Sequence, residues 1–575
     1  MPIARFAPAA LRASVTTPLL LTLRATLIAA FLVAPPSLTA QGRSPGRDGV
    51  DVTNYALTLA LPDTGATISG RAVLTIARPS HADNLRLDLI ALHVDSVLVN
   101  DRATSFVRDD TSIRIPLPAG GNDTLVVAVR YAGAPSDGLI IRTDSTGRWT
   151  AFGDNWPQRA RYWIPSIDEP GDKATVTWTV VAPSSRRVIA NGELLEETPL
   201  RDSAGPVAMA GGMTAIPARS PRTLTRWRES RPIPPYLMVI AAAPLAYYDL
   251  GRSACGRSDF GGCVRQSVYV LPEDLPFLPG PFAQADDIVN WFSRIVAPFP
   301  YEKLAHLQSL TRFGGMENAT AIFYNNESFR RRTLSVGTVA HETAHQWFGD
   351  AVTEETFADL WLSEGFATYW AELWTQHTQG DSAFRAGMAA MRREIIASPV
   401  TAARAVRDTV ETDYLKLLNS NSYQKGGWVL HMLRAELGDS AFFRGVRAYY
   451  LAHRNGNART DDLRAALEHA SGKPLGWFFD QWVKRPGFAE LTTSWRYERA
   501  THRVILEIDQ GSRFPPYRFP LTVQVRDAAG RSSRTTVQVR PERSQHITLP
   551  LRLDAAPASL RLDPDVTLLA SFTER

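Results

Sequence analysis

The hydrophobic pattern of this chain changes period twice, and that change constrains its architecture more than any other feature. Between residues 50 and 243 apolar residues recur at alternate positions, as in Tyr55, Leu57, Leu59 and Leu61, in Leu85, Leu87 and Leu89, and in Leu125, Val127, Val129 and Tyr131. Successive side chains of a strand point to opposite faces, so this pattern predicts a largely antiparallel sheet domain, with 236–243 as its last strand. From 281 to 482 the spacing becomes helical: Ile288, Phe292 and Ile295 share a face, as do Phe442, Val446 and Tyr449, and Thr460 is expected to cap a helix carrying Leu463 and Leu467. Arg485-Pro486-Gly487 breaks the last helix, and alternation returns in Val504, Leu506 and Ile508 and in Leu521, Val523 and Val525. The chain therefore reads as multidomain α+β, with an N-terminal β domain at 41–246, a mostly helical domain at 247–486 and a C-terminal β-sandwich at 487–575.

Composition narrows the function. With 575 residues, 44% hydrophobic and 21% charged, the chain is long enough for about three globular domains and is neither disordered nor collagenous. The formal charge is +5, but Arg5, Arg12 and Arg24 lie in an acid-free stretch, and without them 60 basic face 58 acidic residues, a charge of +2. Acids interleave with the bases, so no nucleic-acid partner is expected. Residues 1–40 read as a secretory signal, with arginines, a short apolar run at 25–33, then Pro35-Pro36 and small residues ending at Ala40. Cleavage would release an exported chain, periplasmic or secreted, while retention would leave an N-terminal anchor. No other segment is apolar and long enough to span a bilayer, so the mature chain is expected to lack a membrane span. Cys255 and Cys263, the two cysteines, are separated by a short Gly-containing stretch, and in an exported protein they are expected to pair.

The chemistry concentrates in one helix. His341-Glu342-Thr343-Ala344-His345 places two imidazoles one turn apart on one face, where both reach a single metal, with Glu342 beside them. A catalytic zinc needs a third protein ligand and an open fourth position. Glu364, eighteen residues after His345 within ADLWLSEGFATYWAELW, is the candidate. The motif predicts one Zn²⁺ per chain and hydrolysis in which Glu342 takes the proton of the attacking water and passes it to the leaving amine.

This spacing, with Glu364 inside WLSEGFA, is similar to the gluzincin family that contains aminopeptidase N and the leukotriene hydrolase. Gly314-Gly315-Met316-Glu317-Asn318 matches that family's exopeptidase signature, and Tyr423 in SYQKGGWVLHML resembles its catalytic tyrosine. PPYL at 234–237 and IDEPGDKAT at 167–175 extend the likeness into the first domain. The resemblance implies a saddle-like N-terminal β domain, a thermolysin-like catalytic domain, and a short form without the family's large C-terminal helical domain. It implies zinc held by His341, His345 and Glu364, and peptides with a free N-terminus as substrates. In chemical terms Glu317 is placed to grip the substrate ammonium, Gly314, Gly315 and Met316 to let the backbone lie beside an extended peptide, and Tyr423 to donate to the oxyanion.

The sequence departs from the family pattern at two places. Where a Gln or Glu usually supplies a second contact to the amine, this chain has Trp156, and the nearest acid is Asp154, which is taken as the second amine-site candidate. The acid often found seven residues after the third ligand is Ala371, with Glu372 beside it, so the partner that orients a zinc histidine is unassigned. Three other readings use the same motif: an inactive peptide-binding scaffold, against which the intact ligands, Glu342 and Tyr423 argue; an epoxide hydrolase on the same zinc, against which the lack of the large helical domain argues; and a thermolysin-like endopeptidase, against which Gly314-Gly315-Met316-Glu317-Asn318 argues.

Overall fold

A computed structural model describes residues 49–78, 82–120, 123–200 and 220–575, and the proposed signal segment lies outside them. The alternating region forms an eight-stranded sheet in which Asp51–Ala60 sits centrally, antiparallel to Ile68–Arg78 and parallel to Ala174–Pro183. That parallel pair is the one departure from antiparallel order within this sheet, and its strands lie far apart in sequence. Two smaller sheets, of four and three strands, complete the region. Its core includes Trp163 stacked on Trp178, with ring centroids 5.6 Å apart. The expected last strand is shorter than its apolar run suggests: Pro235–Leu237 forms a 3₁₀ turn and pairing starts at Ile240. The prolines before it remove backbone donors that a ladder would need.

A five-stranded sheet follows, ordered Ala246–Ser253, Val264–Val270, Lys303–Ser309, Ala321–Asn325 and Gly315–Met316. A Cys255–Cys263 disulfide closes the hairpin between its first two strands. At the opposite edge Gly315–Met316 pairs with Ala321–Asn325 and, among the described residues, has no strand on its other side. Helix Ala285–Ile295 lies between the second and third of these strands in the chain and most of the other helices follow the sheet; one of them, Thr460–Ser471, begins differently from expectation. Arg459 is its N-cap, and Thr460 is the first helical residue, with its hydroxyl donating to Asp359. The chain ends in a four-stranded and a three-stranded sheet of the C-terminal β-sandwich.

Buried polar ties join the first region to the catalytic one. Lys173 Nζ donates to the carbonyls of Asp350, Ala351 and Gly456 at 2.8–3.1 Å, and Asn191 Nδ2 donates to those of Leu237 and Ala319. Such groups stay buried only because each proton finds an acceptor.

The helix Gly426–Leu437 is fastened to the C-terminal region in the same way. His431 Nε2 donates to the Val566 carbonyl at 2.9 Å, while Nδ1 faces the Tyr369 hydroxyl at 3.2 Å. Burial, opposed in part by the Val566 bond, depresses this imidazole to about 4, so it is neutral in the folded protein. An unfolded histidine protonates near 6.5, so the contribution is fully present above that pH and is lost as pH falls towards 4, at about 1.4 kcal/mol per pH unit. The midpoint of urea unfolding should therefore fall between pH 6.5 and 4, and His431→Gln should flatten that part of the profile. Identical profiles for both proteins would contradict this account.

Candidate active site

Three local structures bring the motif residues together. The helix Val336–His345 starts at Ser335, whose hydroxyl accepts the Thr338 N–H at 3.0 Å, and projects His341 and His345 one turn apart. The long segment Trp361–Ala397, bent at Gly380, carries Glu364 in its first turn. Tyr423 sits in a π-helical turn, Asn421–Lys425, that leads into Gly426–Leu437. A turn of this kind widens the helix and re-aims its side chains, and it recurs at functional sites.

The His341 and His345 Nε2 atoms lie 3.1 Å apart, and Glu364 Oε2 lies 3.3 Å from each. Ligands about 2.0–2.1 Å from a tetrahedral zinc stand roughly 3.3 Å from one another, which this triangle matches. Glu364 Oε2 is buried without a hydrogen bond, as expected of an atom reserved for a metal. The charge balance agrees: Glu317, Glu342 and Glu364 are all buried here beside only two imidazoles, and a divalent cation would compensate the excess of carboxylates. The residues fit zinc.

His345 is oriented by partners the sequence did not reveal. Its Nδ1 lies 3.1 Å from the Phe348 carbonyl and 3.0 Å from the Ser363 hydroxyl, which places the proton on Nδ1 and leaves Nε2 to the metal. Gly349 makes room for this contact: with φ +120°, its added Cβ would lie 2.4 Å from Ser363 Oγ. Glu372 is directed elsewhere, towards Gly387, where an added Cβ would meet its carboxylate at 2.4 Å.

The remaining groups complete one cavity of about 280 Å³, lined by the ligands together with Gly314, Gly315, Met316, Glu317, Glu342 and Tyr423. Burial pushes the Glu342 carboxyl well above its ordinary range, with Glu317 and Glu364 adding to the rise against His345. Burial also raises Glu317, while His345 and His341 hold Glu364 below its usual value despite its burial. The Tyr423 hydroxyl donates to Glu364 Oε1 at 2.9 Å, and burial beside that carboxylate keeps the phenol protonated. Gln346 clamps two of these parts together, donating to the Glu317 carbonyl and accepting from the Thr320 N–H, both at 2.9 Å.

Asp154 does not join this group. It is buried beneath the cavity wall, 2.9 Å from Arg159 and 3.4 Å from Arg312, and it accepts the Thr311 hydroxyl at 3.0 Å. Trp156, two residues on, lines the cavity instead. The sequence showed that an acid stood near the right position; it could not show that Arg312, from a distant segment, would pair with it.

The residues matched by known families span most of this architecture. The Peptidase family M1 domain matches 284–482, and the Peptidase M1 N-terminal domain matches 52–207. The chain belongs to peptidase family M1. Among M1 relatives it is 29% identical to aminopeptidase N of Streptomyces lividans, over 70% of this chain and 46% of that one. It spans about half the length of the curated relatives it matches. An M1 zinc metallopeptidase from Deinococcus radiodurans superposes with TM-score 0.63 at 26% identity, covering 77% of this chain and 95% of that one. Legionella pneumophila aminopeptidase A shares the fold with TM-score 0.77 at 18% identity, over 91% of this chain and 59% of that one.

Two glycines of the M1 site are required for space alone. An added Cβ at Gly315 would lie 2.0 Å from Glu342 Oε1, and one at Gly365 would lie 2.8 Å from the Gly426 backbone, where the helices carrying Glu364 and Tyr423 cross. Gly315→Ala should displace Glu342 and lower kcat/KM by about 100-fold while zinc content is kept. Gly365→Ala should separate Tyr423 from Glu364 and cost about 1–3 kcal/mol of stability. Steady-state kinetics with metal analysis and denaturant titration read the two effects, and an unimpaired Gly315→Ala would refute the first.

Proposed function

We propose that this chain is a zinc-dependent aminopeptidase that removes residues from the free N-terminus of peptides. The observation that carries the reading is the convergence, in one cavity, of the His341–His345–Glu364 triangle with a buried base, Glu342, and a buried anion, Glu317. Zinc, when bound, supplies Lewis-acid polarisation and makes water a nucleophile near neutral pH.

The chain's own residues supply the other parts. Glu342, raised by burial, takes a proton from the attacking water and delivers it to the leaving amine as the C–N bond breaks. The Tyr423 phenol donates to the oxygen that gains negative charge at the former carbonyl. Glu317 pairs with the substrate ammonium, and the free edge of Gly315–Met316 offers backbone groups to an extended peptide. A fixed anion near the reacting carbonyl favours removal of one terminal residue over internal cleavage.

Amino-acid anilides test this. Cleavage should vanish with chelator and return with Zn²⁺. Glu342→Gln and Tyr423→Phe should lower kcat by about 100-fold or more. Glu317→Ala should weaken both binding and turnover, and an N-acetylated substrate should resist. Cleavage of the acetylated substrate at the free substrate's rate would exclude the exopeptidase assignment.

We also propose export, after removal of residues 1–40. The signal-like N-terminus and the Cys255–Cys263 disulfide, a bond favoured in oxidising compartments, support this reading. Among the described residues no helix is long and apolar enough to cross a membrane. N-terminal sequencing of the protein recovered outside the cytoplasm should begin at Gln41; a chain found in the cytoplasm with Met1 intact would overturn it.

A further inference from the structure

The catalytic assignment accounts for one side of the cavity and leaves the wall facing the first substrate side chain unexplained. Resting on the aminopeptidase reading, we propose that this enzyme selects peptides whose first residue is neutral and apolar, such as phenylalanine, leucine or methionine, and that Trp156, Phe313, Met316 and Leu418 form the selecting surface.

The cavity lining divides by chemistry. The histidines, the three glutamates and Tyr423 are committed to the metal, the proton, the oxyanion and the ammonium. Apart from the backbone at Gly314 and Gly315, what remains is Trp156, Phe313, Met316 and Leu418, with Thr338 as the one polar side chain. Thr338 already shares its hydroxyl with Ser335 at 3.0 Å at the start of the histidine helix.

The ion pairs that flank Trp156 and Phe313 are balanced among themselves. Asp137 and Asp154 face Arg159 and Arg312 in a closed quartet, with contacts of 2.9, 2.9, 3.0 and 3.4 Å, so two cations meet two anions. Asp154 is spent inside that quartet and is 1% exposed. A charged first residue would lose hydration against the wall and gain no free counter-charge. The acidic alternative would require Arg312, the most exposed member, to leave both aspartates.

The wall is also held in place before substrate arrives. Trp156 meets Phe313 edge to face at 6.0 Å and Phe357 at 5.5 Å. Arg159 Nε donates to the Trp156 carbonyl at 2.8 Å, and its guanidinium lies 5.9 Å from the centre of the Phe313 ring. Fixed aromatic edges and faces favour another ring or a flat aliphatic side chain. At about 280 Å³ the cavity is near the lower limit of ordinary ligand sites, roughly 300 Å³, which suits one side chain and the reacting groups.

The test is a set of matched 4-nitroanilides of Phe, Leu, Met, Ala, Arg, Lys, Glu and Asp, cleaved by the zinc-loaded full chain. The values of kcat/KM for Phe, Leu and Met should exceed those for the four charged residues at least about 10-fold. In Phe313→Ala and Leu418→Ala the ratio of Phe to Ala cleavage should fall several-fold. A preference for Arg or Lys overturns the proposal, as does a Glu preference that Arg312→Ala removes, and both leave the aminopeptidase assignment standing. Hydrolysis of none of the anilides by folded, zinc-loaded protein overturns the assignment and this inference together. Should either variant fail to fold, the unmodified chain's own preference decides.

Discussion

Three carboxylates and two imidazoles share a buried volume around one point, and the structure around them is arranged to make that tolerable. Left uncompensated, like charges in a low-dielectric interior would take up protons or open the site to water. The direction of each shift shows the conflict: burial drives Glu342 and Glu317 upwards, while Glu364, beside both imidazoles, is held down. On the aminopeptidase reading proposed above, a divalent cation at the triangle would relieve the conflict and leave Glu342 and Glu317 free for proton transfer and for ammonium binding. On that reading, metal requirement, base strength and recognition of the substrate's end would all follow from one electrostatic arrangement.

Keeping these groups at fixed separations requires backbones that approach unusually closely. The strand at Gly315 rests on the Glu342 carboxylate, and the helices at Gly365 and Gly426 touch main chain to main chain. The Tyr423 turn then reaches Glu364, and Gly349 lets Ser363 reach His345. Each approach is possible because a side chain is missing, so the site is shaped as much by absent atoms as by present ones.

Much of this was legible in the sequence because it is local. Period two and period 3.6 are properties of neighbouring residues, and His341, Glu342 and His345 lie within one helical turn of each other. Glu364, Glu317 and Tyr423 came from spacing and from resemblance to a family. What escaped was what depends on distant segments meeting. The parallel pairing of Asp51–Ala60 with Ala174–Pro183 leaves no mark in either strand. Ser363 beside Glu364 reads as a helical serine until Gly349 brings His345 against it. Asp154 is the clearest case: its residue type and position suited a substrate contact, and Arg159 and Arg312 hold it in ion pairs beneath the cavity wall.

The clamp made by Gln346 has a mechanical consequence. One amide, the residue after His345, holds the carbonyl of Glu317 and the N–H of Thr320, so the edge strand and the histidine helix are fastened at the point where they must keep step. The spacing between Glu317 and the histidine helix is thereby tied by two hydrogen bonds from a single side chain, at the point where the two segments meet.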